Sequence, residues 1–208
     1  MRKASFSLLI MGEGIFLALI CVGGAYYPGY DQSRQFISEL GATGALTGPA
    51  VSWWGFLPSG LLITAFCLIA AFDMRKHLLS AVSLCLIAWY AADLIASALY
   101  PCDFRCVPTA AGSVQLIHDL IGGTGYIAGL VGALLAGYAA RHSQAAWLFR
   151  LGVACALVGV VGLSGLAAGI EYRGLSQRIL ELVIMIFLLS YGWAFANGRL
   201  VGIGGKLA

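Results

Sequence analysis

Residues 51–100 read VSWWGFLPSGLLITAFCLIAAFDMRKHLLSAVSLCLIAWYAADLIASALY. Two apolar runs, 51–72 and 78–100, are parted only by the basic stretch Asp73-Met-Arg-Lys-His77. Each run is close to the ~20 residues an α-helix needs to cross a ~30 Å hydrocarbon core. Moving outward, the same pattern recurs at 5–27, 114–139, 146–170 and 176–197. Hydrophobic residues make up 61% of the chain, charged residues 10%, and mean hydropathy is +0.91. A soluble domain carries about 25% charge. The predicted fold is all-α, an integral membrane bundle of six transmembrane helices forming a single domain over residues 1–208. No soluble domain, low-complexity tract or long charged tail interrupts it, and the two halves share no convincing 3+3 repeat.

The basic residues set the expected orientation. Arg2, Lys3, Arg75, Lys76, Arg141, Arg150, Arg199 and Lys206 fall on the side of the N-terminus, and only Arg34, Arg105, Arg173 and Arg178 on the other. Eight against four predicts that both termini are cytoplasmic. The expected location is a bacterial or archaeal plasma membrane. Arg2-Lys3 before an apolar run also has the look of a signal peptide, but the run is long, contains Glu13 and lacks an A-x-A cleavage pattern. The acids distribute oppositely. Asp31, Glu39, Asp93, Asp103, Asp119, Glu171 and Glu181 fall in the outer half, Asp73 is cytoplasmic, and Glu13 lies near mid-depth of the first span.

The first outer loop is the longest, running from about Pro28 to Pro49. Phe36, Ile37 and Leu40 recur at helical spacing, which predicts a short amphipathic helix lying at the interface. Trp53 and Trp54 would mark an outer aromatic belt, Trp147 and Trp193 an inner one. The 28 glycines are a packing signal. Gly122, Gly125, Gly129 and Gly132 in the fourth span, with Gly159, Gly162, Gly165 and Gly169 in the fifth, have small-xxx-small and related spacings that let helices approach. They also offer a route to a homo-oligomer. Cys21, Cys67, Cys85 and Cys155 sit in spans and read as small core residues. Cys102 and Cys106 share the second outer loop, where an oxidising compartment would join them in a disulfide.

Ionisable groups inside a span are costly and mark the bundle interior or a wet cavity. Asp93 has Ser97 one turn outward on its own face. His118 and Asp119 open the fourth span after Gln115. Arg178 and Glu181, three apart, share a face of the sixth. Arg34 and Glu39 flank the loop helix. All lie between the outer interface and ~10 Å below it by helical rise. Four segments therefore deliver polar groups to one layer. One reading is structural glue: Arg178 paired with Asp119 or Glu181, Arg34 with Asp93 or Glu39, and His118 bonded to an acid. The other is a pocket for a polar headgroup, with an acid–base pair poised in it.

Several classes are disfavoured. Zinc sites favour several His or Cys ligands, and His77 and His142 lie on the opposite side from His118. That argues against a three-histidine zinc hydrolase of the membrane ceramidase kind, and the same shortage argues against bis-histidine haem. A carboxylate-rich magnesium or calcium site stays open, so any metal is unassigned. Gly162-Leu-Ser-Gly165 matches the Gly-x-Ser-Gly of rhomboid proteases, but the sixth span lacks their histidine, so the motif reads as helix packing. A thiol oxidase would need a second exposed cysteine pair. No phosphate loop, dinucleotide fingerprint or basic stripe points to nucleic acid.

Three blocks carry a family resemblance. Arg34-x-x-Ile37-Ser-Glu-Leu-Gly41 resembles the Ile-Ser-(Asp/Glu)-Leu-Gly signature of six-span proteins called domain of unknown function 998. Pro101-Cys-Asp103 followed by His118 is similar to that family's second block. Gly174-Leu-Ser-Gln-Arg178 resembles the Gly-Leu-x-(Glu/Gln)-Arg before its last span. The resemblance spans essentially the whole chain. It implies fold and topology, brings no established reaction, and picks out Arg34, Ser38, Glu39, Asp103, His118 and Arg178. The expected function is binding or processing of a membrane lipid or isoprenoid near the outer leaflet. Asp93, His118, Asp119 and Glu39 would do the chemistry. Arg34, Ser38, Asp103, Arg178 and Glu181 would hold the ligand, with Arg34 and Arg178 meeting an anionic headgroup. Rival expectations are a transporter or flippase of a small amphiphile working through Glu13, and a structural subunit of a membrane complex.

Overall fold

A computed structural model describes residues 1–109 and 113–200. Lys206, one of the charges behind the expected orientation, lies outside the described residues. Six helices are long and apolar enough to cross a membrane: α1 (Arg2–Tyr26), α2 (Gly48–Asp73), α3 (Leu78–Leu99), α4 (Ser113–Ala139), α5 (Trp147–Ala167) and α6 (Arg173–Ala196). The protein is an all-α integral membrane bundle. Its first and last helices begin and end at one end of the bundle, here the terminal end, where the Arg2 guanidinium lies over the Phe195 ring. The opposite, distal end carries the long first loop (27–47) and the disulfide loop.

Side-chain character is sorted by what each face meets. A continuous core of Phe16, Ile63, Phe66, Leu84, Ile87, Leu130, Phe187 and Tyr191 draws on all but α5, which adds Leu148 and Cys155. Large apolar side chains such as Leu61, Val131, Leu157, Val161 and Leu182 point outward. In water such an apolar exterior would be a liability; against lipid it is the required surface. With lipid outside, helix association rests on close packing rather than on hydrophobic exclusion, and the glycines supply it. A Cβ at Gly132 would meet the Ser83 carbonyl oxygen and Ile87 of α3, and one at Gly159 would collide with Leu130 of α4. Gly162 and Gly165 press on Ser176 of α6, so the rhomboid-like Gly162-Leu-Ser-Gly165 packs helices. The glycine faces of α4 and α5 are thus turned to neighbours within the chain.

Two local expectations differ from the structure. The first loop forms only a 3₁₀ turn, Ser38–Gly41, in place of an interfacial helix. Ile37 and Leu40 are 3% and 0% exposed because they plug into the bundle beside Phe16, Val51 and Phe56. A Cβ at Gly41 would strike the Phe56 ring, so glycine lets this turn sit flush on α2. Cys21 and Cys85 face the exterior, whereas Cys67 and Cys155 are buried as expected of core cysteines. After one α-helical turn, Gly48–Val51, α2 passes through a π-helical turn, Ser52–Phe56, where Trp53 and Trp54 face outward at 54% and 75% exposure, as an outer aromatic belt requires.

Candidate functional site

The first loop is clamped to the start of α6. A Cβ at Gly174 would run into the Gln35 carbonyl oxygen, so only glycine admits the loop here. The Leu175 amide donates to the Ser33 carbonyl at 2.8 Å. Arg178 reaches up with one nitrogen to the Gln35 carbonyl at 3.0 Å and the other to the Tyr30 hydroxyl at 2.7 Å. Glu39, 1% exposed, accepts from the Phe36 amide at 3.1 Å and Gln35 Nε2 at 2.9 Å, and pairs with Arg173 at 3.3 Å. Burial of Tyr30 raises its phenol above the ordinary range, with Arg178 pulling the other way. Arg34 pairs outside this knot, with Glu171 at 2.8 Å and Asp31 at 3.7 Å.

The second loop joins from the other side. Cys102 and Cys106 form a disulfide, as the loop predicted. The bridge sits on the first loop: the Thr43 amide donates to the Cys102 carbonyl at 2.8 Å, and Ser38 Oγ lies 3.4 Å from Cys106 Sγ. Asp103 ties its own loop, accepting from the Thr109 amide and hydroxyl at 2.9 Å each. Its amide donates to Gln115 of α4 at 2.8 Å.

Beneath this roof lies a cavity of about 450 Å³ between α3, α4, α5 and α6. One wall is polar: Asp93, Ser97, His118, Asp119, Tyr126 and Gln177. The other is apolar: Leu163, Leu166 and Ala167 of α5. Gly122 and Gly123 floor the gap on α4, and a Cβ on Gly122 would touch only the Asp93 carboxylate, at 3.7 Å. Phe36, Ser38 and Cys106 close the top. A hollow of about 20 Å³ continues inward past Asp93 to Glu181.

Glu181 is 6% exposed and held by phenols rather than by a cation. Tyr126 donates to it at 2.6 Å and Tyr90 donates to its other oxygen. Gln177 donates to the Tyr126 hydroxyl at 2.9 Å and accepts the Ile37 amide at 2.7 Å, so a string of hydrogen bonds runs from the first loop to the buried carboxylate. His118 Nδ1 lies 3.1 Å from the Tyr100 carbonyl. A carbonyl only accepts, so Nδ1 carries a proton, and in the neutral ring Nε2 is the free lone pair. Asp119 is exposed and accepts from Gln115 at 2.7 Å.

The structure therefore splits the expected polar layer. Asp93, His118, Asp119 and Ser38 line the cavity, and Glu181 stands behind it. Arg34, Glu39, Asp103 and Arg178 are engaged in the loops above. Every ion pair expected from spacing is replaced: Arg178 bonds Tyr30, Arg34 bonds Glu171, Glu39 bonds Arg173, and His118 bonds a carbonyl. Tyr30, Tyr90, Tyr126 and Gln177 join the site without being among the expected residues. Tyr90 and Tyr126 are polar-tipped rings in apolar spans, and such rings seek partners when buried. Among the described residues no group of three or more His, Cys, Asp or Glu is arranged to hold a metal.

The blocks that suggested a family meet in space. Arg34–Gly41 and Gly174–Arg178 are the two halves of the clamp, and Pro101–Asp103 with His118 forms the adjoining edge. No curated protein and no solved structure matches the chain. Residues 10–194 match the family described as "Protein of unknown function (DUF998)", and the chain belongs to that family.

Proposed function

We propose that the protein binds, and in an enzymatic version processes, a lipid or isoprenoid amphiphile in the cavity beneath the two loops. The observation that carries this reading is the division of the cavity between a polar wall and the apolar α5 wall of Leu163, Leu166 and Ala167. Its size falls in the ~300–1,000 Å³ range of small-molecule sites. An amphiphile would set its headgroup against Asp93, His118 and Asp119 and run its chain along α5 toward lipid. The excess of Lys and Arg at the terminal end supports placing the cavity at the outer leaflet. In the enzymatic version His118 Nε2 takes a proton from the headgroup or from water, and Asp93 or Asp119 receives or returns it.

The test is lipid identification by mass spectrometry on protein purified in mild detergent, comparing wild type with Gly122→Leu. The leucine side chain would grow from open space into the cavity. A lipid species enriched in wild type and lost in Gly122→Leu, with the melting temperature kept, supports the reading. Equal, non-selective lipid in both overturns it.

A second reading, transport of a small amphiphile, is favoured by Glu13. This residue is 4% exposed in the middle of α1, and its Oε1 has no hydrogen-bond partner among the described residues. Intramembrane carboxylates without partners often mark pathways. The hollow at the terminal end, lined by Arg2, Phe72, Asp73 and Phe195, shares no residue with the distal cavity, so transport requires a second conformation. Full uptake by Glu13→Gln in a vesicle assay would remove this reading.

A further inference from the structure

We infer that the cavity selects an amphiphile whose headgroup carries an ammonium, and rejects anionic headgroups. The inference rests on the amphiphile reading of the cavity and adds the charge of its occupant.

Arg178 spends its fork on Tyr30 and on the Gln35 and Gly174 carbonyls. Arg173 is held by Glu39, Arg34 by Glu171 and Asp31, and Arg105 lies exposed over the Phe104 ring. Among the described residues no Lys or Arg lines the cavity. The carboxylates do the opposite. Asp93 is 9% exposed, faces both the cavity and the smaller hollow, and forms no salt bridge among the described residues. Asp119 stands at the rim with only an amide for a partner. Glu181, behind Asp93, is satisfied by two phenols and Gln177's string, again without a salt bridge. Arg34, Arg173 and Arg178 are thus taken up above the cavity, Arg105 stays exposed beside it, and Asp93 and Asp119 face the cavity with only a hydroxyl and an amide for partners.

A buried carboxylate without a cation is expensive in a medium of low dielectric. A phosphate or carboxylate headgroup entering here would raise that cost. An ammonium would lower it, donating hydrogen bonds to Asp93 and Asp119 that are stronger for being charge-assisted. Tyr126 adds an aromatic wall of the kind that attracts ammonium groups. The apolar α5 wall takes the chain. A free long-chain amine and an aminolipid headgroup share this chemistry.

The test uses full-length protein in maltoside micelles, a neutral background, with binding read by native mass spectrometry. The probes have matched twelve-carbon chains: dodecylammonium, dodecylglycerol and dodecyl phosphate. The expected order is ammonium tightest, glycerol weaker, and phosphate unable to compete. Asp93→Asn and Asp119→Asn should each weaken dodecylammonium about tenfold and leave dodecylglycerol unchanged. Asp119 is exposed, so its variant remains informative even where Asp93→Asn fails to fold. Displacement of dodecylammonium by a phosphate-free aminolipid, a diacylglycerol esterified with alanine, supports the inference with a lipid headgroup as the source; no displacement supports it with a free amine. Dodecyl phosphate binding as tightly as the amine, and lost in Gly122→Leu, overturns the charge inference and leaves the amphiphile reading standing. Binding of all three probes unchanged by Gly122→Leu overturns both.

Discussion

The distal end of the bundle holds two polar regions, one above the other, and they settle their charges differently. In the clamp between the first loop and α6, Arg173, Arg178 and Glu39 are each matched by partners within 3.3 Å. Beneath it, Asp93 and Asp119 face a cavity whose walls, among the described residues, hold no Lys or Arg. A structure built for stability alone would have let the guanidinium groups neutralise the carboxylates directly below. The guanidiniums instead hold the roof, and the carboxylates are left for something else. The upper region therefore reads as architecture, and the lower one is where the proposed binding would take place.

The sharpest way to break that comparison is to damage the clamp. Arg178→Ala removes three charge-assisted hydrogen bonds and leaves the Gln35 carbonyl and Tyr30 hydroxyl in a half-buried place. A loss of about 3 kcal/mol is expected, read as a large drop in melting temperature in detergent. Arg178→Lys should recover only part, since an ammonium cannot present a planar fork. Reducing the Cys102–Cys106 bridge comes next. A loop this short costs about 2 kcal/mol of chain entropy when freed. Thiol labelling with and without reductant, followed by thermal melting, checks it. An unchanged melting temperature would mean that the first loop holds the second one without the bridge.

The cavity should answer in the opposite sense. Asp93→Asn removes a buried carboxylate that forms no salt bridge among the described residues, so stability should stay within about 1 kcal/mol of wild type or rise, while ligand binding falls. A loss as large as that of Arg178→Ala would join Asp93 to the architecture and erase the distinction between the two regions.

How much of this could be read in advance follows from what each signal measures. Hydropathy counts residues along a chain, so the six spans and the depth of Asp93, His118 and Asp119 were visible. Pairing between helices depends on how each is rotated, and rotation leaves little trace in a span that is apolar nearly all round. Arg178 and Glu181 sit three apart on a shared face, which suggests that they pair; one bonds upward to Tyr30 and the other sideways to Tyr90 and Tyr126. The loop residues Ile37 and Leu40 show the same ambiguity. Their spacing announces an apolar face without saying whether lipid or protein covers it, and Gly41, by letting the turn close on Phe56, decides for protein. Cys21 and Cys85 were expected inside because small residues usually pack there, yet lipid tolerates them as well.

The smallest effect probes how the clamp is assembled. Asp31 accepts from the Ser33 amide at 2.8 Å and the Ser33 hydroxyl at 2.6 Å, a local turn at the head of the first loop. These two bonds hold the Asp31 carboxyl below the usual carboxylate range. A depressed value in the folded state means that the turn's contribution is present above the ordinary pKa of ~3.9 and is lost as pH falls through the folded value. Ser33→Ala should move the Asp31 titration back upward, as followed by carboxyl-carbon NMR, and should leave neutral-pH melting almost unchanged because the group is exposed. A peptide covering residues 28–41 separates two routes to the clamp. If Asp31 is already depressed in the peptide, the loop presents a preformed turn to α6, and the many hydrogen bonds of the clamp form on a surface already ordered. If it is ordinary there, α6 imposes the turn, and Arg178→Ala should release the Asp31 titration together with the roof of the cavity.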